Sequence, residues 1–208
     1  MLASHLRGRI NRIVEPLGRA VGRTGISAND LTVSGAVIMA VGTLLVANGR
    51  LLLGGMVVTV GGLLDLVDGA VAKATGTETP FGAFLDSTTD RLSDGLLFSG
   101  LAWYLVHRPP GDAAMLGVVP GHLYASTGLL LALGVMVLGF LTSYIRARAE
   151  SMGYSCNVGV AERGERVFIA AAGIVFNVIV PALALLFVLS GVTVGQRIVH
   201  VWRQARPS

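Results

Sequence analysis

Residues 65–90 read DLVDGAVAKATGTETPFGAFLDSTTD, an acidic cassette set between apolar runs. Asp65 and Asp68 are three residues apart and Asp86 and Asp90 four apart, so each pair projects from one face of its own helix. The short polar link between them, 74–80, returns the chain and brings the four carboxylates together. An aspartate in mid-membrane costs about 2.5 to 3.5 kcal/mol on insertion scales, and four clustered anions repel one another unless cations neutralise them. Bound metal is the economical counter-charge. Oxygen-only donors with no Cys or His nearby suit Mg2+ or Mn2+ rather than zinc. A single aspartate of this kind also serves elsewhere as a helix-terminal charge in headgroup water or as part of a proton relay, the chemistry of a small proton-coupled transporter.

Outward from the cassette the chain is 208 residues long, 53% hydrophobic and only 13% charged, a composition too apolar for a soluble domain of this size. The net charge of +4 on this background points to anionic lipid headgroups and phosphorylated substrates as partners, and away from nucleic acid. The lone Cys156 excludes an intramolecular disulfide and is assigned no role. Arg7, Arg9, Arg12, Arg19 and Arg23 interrupt the opening segment, which predicts that it is not a cleavable leader.

The apolar pattern predicts an all-α, polytopic membrane protein with six transmembrane helices and an N-terminal amphipathic surface helix. In residues 1–24 Leu2, Leu6, Ile10, Ile13, Val14, Leu17 and Val21 recur at helical spacing opposite the arginines, as in a helix lying on the bilayer. Residues 25–208 form the six-helix domain. Its spans are expected at 31–47, 51–66, 84–106, 122–145, 167–178 and 183–201, with Pro181 marking the turn into the last. Trp103 and Tyr104 suit an interfacial aromatic belt. If both termini lie inside, the outer links carry only Arg50 and Arg108, leaving 14 of the 16 basic residues on the inner side. That asymmetry predicts a multi-pass protein of the cell (inner) membrane whose acidic cassette faces the cytoplasm.

The cassette has a longer pattern: Asp65-x-x-Asp68-Gly69-x-x-Ala72-Lys73, eight residues, then Gly82-x-x-x-Asp86-x-x-x-Asp90. It resembles the signature of the CDP-alcohol phosphatidyltransferase family at every fixed position but one. Lys73, the only lysine in the chain, stands where the family usually has arginine; it keeps a positive charge for phosphate and loses the bidentate fork. The resemblance implies a CDP-linked lipid donor, CDP-diacylglycerol, and two divalent ions, Mg2+ with Mn2+ possible, between Asp65, Asp68, Asp86 and Asp90. Asp90 would also act as general base. In that setting Gly69 and Gly82 let a nucleotide approach the helix backbone, and Asp65, Ala72 and Lys73 belong to the same donor site. Upstream, Ser27-Ala28-Asn29-Asp30-Leu31-Thr32 resembles the family's T-P-N-x-x-T segment, so that Asn29 and Thr32, with Thr79 after them, would contact the CDP portion. Asn29 is equally suited to cap a helix. Asp94, four residues beyond Asp90, reads as a hydrogen-bonded helper.

The acceptor is read from the basic stretches. Ser143-Tyr144-Ile145-Arg146-Ala147-Arg148-Ala149-Glu150 and Ala161-Glu162-Arg163-Gly164-Glu165-Arg166 resemble those of actinobacterial phosphatidylinositol phosphate synthases. That resemblance implies binding of an acceptor phosphate by Ser143, Arg146, Arg166 and Arg197. Arginines near a metal site suit a phosphate dianion, which is carried by inositol phosphate and also by the rival acceptor glycerol 3-phosphate. Glycines 54, 55, 61 and 62 permit close helix contact, within a subunit or in the homodimer common in the family.

Overall fold

The computed structural model describes residues 24–107 and 121–206, together with 16, 18 and 20–22. Most of the surface helix expected over 1–24, and most of the expected 107–121 loop, lie outside these residues. Of the former, positions 16, 18 and 20–22 are helical and Thr24 lies in a turn, and the buried Gly18 sits so close to Ala70 that a Cβ there would meet its backbone at 2.8 Å.

Beyond that N-terminal stretch the described residues form six further helices and no strand: α1 (Ala28–Ala47), α2 (Leu51–Thr75), α3 (Pro80–His107), α4 (Gly121–Ser151), α5 (Arg163–Val175) and α6 (Ile179–Gln204). Four of them, α1, α2, α6 and the Leu123–Ser151 part of α4, are long and apolar enough to cross a membrane. The 28-residue α3 has the length but carries Asp86, Asp90, Arg91 and Asp94 in its first fifteen residues. The 13-residue α5 rises only ~20 Å, short of the ~30 Å hydrocarbon layer.

The helix ends follow local chemistry. Ser27 caps α1 in a reciprocal capping box with Asp30. Helix α2 runs well past the expected end near Leu66, because nothing breaks it before Gly76, which adopts φ 65° as its left-handed cap. All of the first half of the signature therefore lies on one helix. Thr79 Oγ1 accepts from the Gly82 backbone N–H at 3.0 Å and Pro80 follows at the first helical position, so α3 starts four residues earlier than expected. Helix α4 likewise continues through Arg146 and Arg148 to Ser151, reducing the expected 146–166 loop to 152–162. The turn between α5 and α6 falls at 176–178, where Asn177 has φ 54°. Pro181, expected to mark that turn, instead occupies the first turn of α6, where its missing N–H is harmless.

The helices pack in a closed order, α1 on α2, α2 on α5, α5 on α6, α6 on α4, α4 on α3 and α3 back on α1. Met39, Val58, Leu97, Phe98, Leu101, Ile174 and Leu186 fill the interior, while Leu44, Leu130 and Val188 are exposed outside as lipid-facing residues must be. The glycines of α2 serve this packing: Gly54 and Gly61 abut α1, and Gly55 and Gly62 abut α5. Because α2 and α3 reach each other through α1 and across the ring, their acidic faces point to the interior at one end of the bundle.

Candidate functional site

At that end one carboxylate oxygen from each of Asp65, Asp68 and Asp86 lies within 4.8 Å of the others. Thr32, on α1, donates to Asp68 Oδ2 at 2.6 Å and to the Ala28 carbonyl at 3.0 Å, fixing the most buried of the three acids. Asp90 is turned toward a different partner. Its Oδ1 lies 2.7 Å from Arg163 Nη1, and its Oδ2 lies 3.5 Å from Arg91 Nη1. The same Arg163 nitrogen donates to Asp65 Oδ2. Arg163 Nε sits 3.4 Å from Asp94 Oδ1, and Asp94 Oδ2 accepts from Arg166 Nη2 at 2.6 Å. Acids and guanidiniums thus alternate from the carboxylate triplet into the bundle.

The donor set fits a divalent cation. The triplet consists of hard oxygen ligands converging on one small volume. Asp90 Oδ1 is buried and lacks a hydrogen bond of good geometry, although Arg163 lies close. That leaves acceptor capacity beside the triplet which a cation satisfies.

Two cavities open beside the cluster. The first, about 200 Å³, is lined by Asn29, Thr32, Asp68, Gly69, Ala72, Thr79, Gly82 and Asp86 among others. Asn29 is free to face it because Ser27, and not Asn29, caps α1. A Cβ on Gly69 would meet nothing within 4 Å, so the space over this turn of α2 is open; one on Gly82 would crowd Thr79 Oγ1 and Asn29 Oδ1 at 3.1 and 3.2 Å. Lys73 lies one residue beyond the lining, exposed in the last turn of α2. The second cavity, about 870 Å³, is lined by Asp86, Asp90, Arg91, Ser143 and Arg146, with Phe140 and Tyr144. Asp86 and Ala83 belong to both.

Of the four residues expected to bind the acceptor phosphate, Ser143 and Arg146 line the second cavity. Arg166 and Arg197 are buried at 2% and 4% exposure and do not. Arg166 is tied to Asp94, and Arg197 donates to the carbonyls of Thr142 at 2.6 Å and Val158 at 2.9 Å. The latter bond belongs to a lacing of the 152–162 loop onto α6. Thr193 Oγ1 accepts from the N–H groups of Val160 and Ala161, and Gln204 holds Ser155 through both its amide atoms. The lacing sets the start of α5, and with it Arg163, which sequence reasoning passed over. Its one signal was position: an arginine three residues before Arg166, at the start of a helix.

The sequence profile of the CDP-alcohol phosphatidyltransferases matches residues 26–203. The chain belongs to that family. The transferase is 33% identical over 211 residues to the archaetidylinositol phosphate synthase of Methanothermobacter thermautotrophicus, covering 99% of this chain and 96% of the relative. It is 37% identical over 195 residues to the phosphatidylinositol phosphate synthase of Mycobacteroides abscessus, covering 89% and 82%. Among solved structures, the Mycobacterium tuberculosis phosphatidylinositol phosphate synthase with CDP-DAG bound superposes with a TM-score of 0.74 at 33% identity, covering 92% of this chain and 94% of that one. A second structure of that protein, in complex with manganese and citrate, gives 0.75 at 32% identity, covering 91% and 88%. The transferase is therefore a membrane enzyme of phospholipid synthesis with an acidic cluster suited to metal.

Proposed function

We propose that this transferase moves the phosphatidyl group of CDP-diacylglycerol to the hydroxyl of 1D-myo-inositol 3-phosphate, releasing CMP and forming phosphatidylinositol phosphate. The observation that carries the reading is Asp86, a wall of both cavities: the first bears the signature's nucleotide-side residues, and the second brings Asp90 together with Ser143 and Arg146. Donor and acceptor sites thus share one carboxylate.

In this reading Asn29, Thr32, Gly69, Ala72, Thr79 and Gly82 seat the cytidine diphosphate, with Lys73 beside it. Asp65, Asp68 and Asp86, with Asp90 adjoining, hold two Mg2+ ions, for which Mn2+ substitutes. When bound, the ions withdraw charge from the pyrophosphate and stabilise the departing CMP. Asp90 accepts the proton of the acceptor hydroxyl as its oxygen bonds to the lipid-side phosphorus and the bond from that phosphorus to the CMP oxygen breaks. Ser143 and Arg146 hold the acceptor phosphate, and Arg166 and Arg197 add positive potential behind them.

The excess of basic residues on this side of the spans supports an orientation with this end of the bundle at the cytoplasmic face of the cell membrane. A homodimer, common in the family, would use a surface other than the α2 glycines, which are engaged within the subunit.

The test supplies purified protein with CDP-diacylglycerol and Mg2+ and follows CMP release with inositol 3-phosphate, inositol, glycerol 3-phosphate and serine in turn. Turnover should favour inositol 3-phosphate, disappear on chelation and return with Mg2+ or Mn2+. Selective use of glycerol 3-phosphate would overturn the acceptor assignment. The protein's basic phosphate site at Ser143 and Arg146 makes that acceptor the rival, since both carry the same dianion.

A further inference from the structure

Arg163 reaches the acidic cluster from the far side of the chain. Its side chain is 16% exposed, and one nitrogen, Nη1, bridges Asp65 and Asp90, while Nε faces Asp94. One guanidinium therefore spans three acids on two helices, with a member of the metal-binding triplet on one side and the proposed base on the other. Within hydrogen-bonding range of Asp65 and Asp90, a fixed positive charge does two things of opposite sign. It orients Asp90, whose buried Oδ1 makes no hydrogen bond of good geometry, and it lowers the attraction of the carboxylates for a cation.

Resting on the functional reading above, we infer that Arg163 is a positioning residue for Asp90 and a built-in counter-cation that keeps divalent-ion binding weaker than the four acids alone would make it. The first role depends on the second nitrogen, since Nε facing Asp94 sets the position from which Nη1 meets Asp90, and the second role depends on the charge. Lysine at 163 supplies the charge but a single nitrogen, which cannot bridge Asp65 and Asp90 while also facing Asp94. The two roles therefore separate by substitution.

The test measures Mn2+ binding by the loss of the free-ion paramagnetic resonance signal, in detergent-purified protein without substrates, beside kcat for CMP release. Arg163→Gln should bind Mn2+ at least about threefold more tightly than wild type, because a repelling charge is gone, while kcat falls by about a hundredfold through loss of Asp90 orientation. A merely structural role would weaken both. Arg163→Lys should keep Mn2+ affinity within about twofold and still lose about tenfold in kcat. Unchanged or weaker Mn2+ binding by a monodisperse Arg163→Gln protein overturns the inference. So does wild-type kcat in Arg163→Lys, which decides the matter if the glutamine variant aggregates. Failure of the wild type to release CMP with any acceptor would strike the functional reading instead, since Mn2+ binding is measured without substrate.

Discussion

Thr32 Oγ1 on α1 donates a 2.6 Å hydrogen bond to Asp68 Oδ2 on α2, joining residues 36 positions apart at the floor of the first cavity. A bond to a buried carboxylate contributes about 1.5 to 3 kcal/mol. Thr32→Val keeps the side-chain shape and removes the donor, so Asp68 loses its fixed rotamer. Turnover should fall about tenfold, equivalent to ~1.4 kcal/mol of transition-state stabilisation, with Thr32→Ser close to wild type. Steady-state CMP release on the three proteins checks this.

Gly69 leads to an expectation in which stability and activity part. Its missing Cβ faces open cavity with nothing within 4 Å. Gly69→Ala should therefore fold at least as well as wild type, gaining up to ~1 kcal/mol from helix propensity. The methyl would occupy donor space, so KM for CDP-diacylglycerol should rise about tenfold with a smaller change in kcat. Thermal unfolding in detergent and donor titration read the two effects separately.

The Asp94–Arg166 pair is buried on both sides, at 4% and 2% exposure, and its 2.6 Å contact joins α3 to α5. Asp94→Ala leaves a buried guanidinium without its main partner, and breaking such a pair costs about 3 to 5 kcal/mol. A large fall in the unfolding midpoint is expected. Replacing both residues, Asp94→Leu with Arg166→Met, should restore a good part of that midpoint without restoring turnover.

Arg146 is half-exposed and pairs with Glu150 at 2.8 Å while lining the second cavity. An exposed pair of this kind adds little to stability. Arg146→Gln should therefore leave unfolding nearly unchanged and raise the acceptor KM about tenfold, with donor KM unaffected. Varying the two substrates independently separates these outcomes.

The local grammar of the chain was legible in one dimension. Apolar run lengths revealed the long helices, and the three- and four-residue spacings of Asp65, Asp68, Asp86 and Asp90 revealed two acidic helix faces. Helix ends were less legible. The run past Leu66 to Gly76, the extension of α4 to Ser151 and the place of Pro181 inside α6 all turn on hydrogen bonds at the termini, which hydropathy does not register. The capping role open to Asn29 went to Ser27, leaving Asn29 for the cavity.

By itself the sequence determined that the protein is helical and membrane-embedded, that it carries an acidic cassette between apolar runs, and that hard oxygen donors would meet any metal there, because periodicity and residue type are properties of the chain. Only the tertiary structure decided which cations meet those acids. It brings Arg163 to Asp65 across 98 residues, ties Arg166 to Asp94 and Arg197 to backbone carbonyls, and makes Asp86 the wall between two cavities. Those partnerships depend on how each helix is rotated and in what order the six close into a ring. The lacing of the 152–162 loop onto α6 sets the start of α5 through contacts between residues far apart in the chain, which no local spacing encodes.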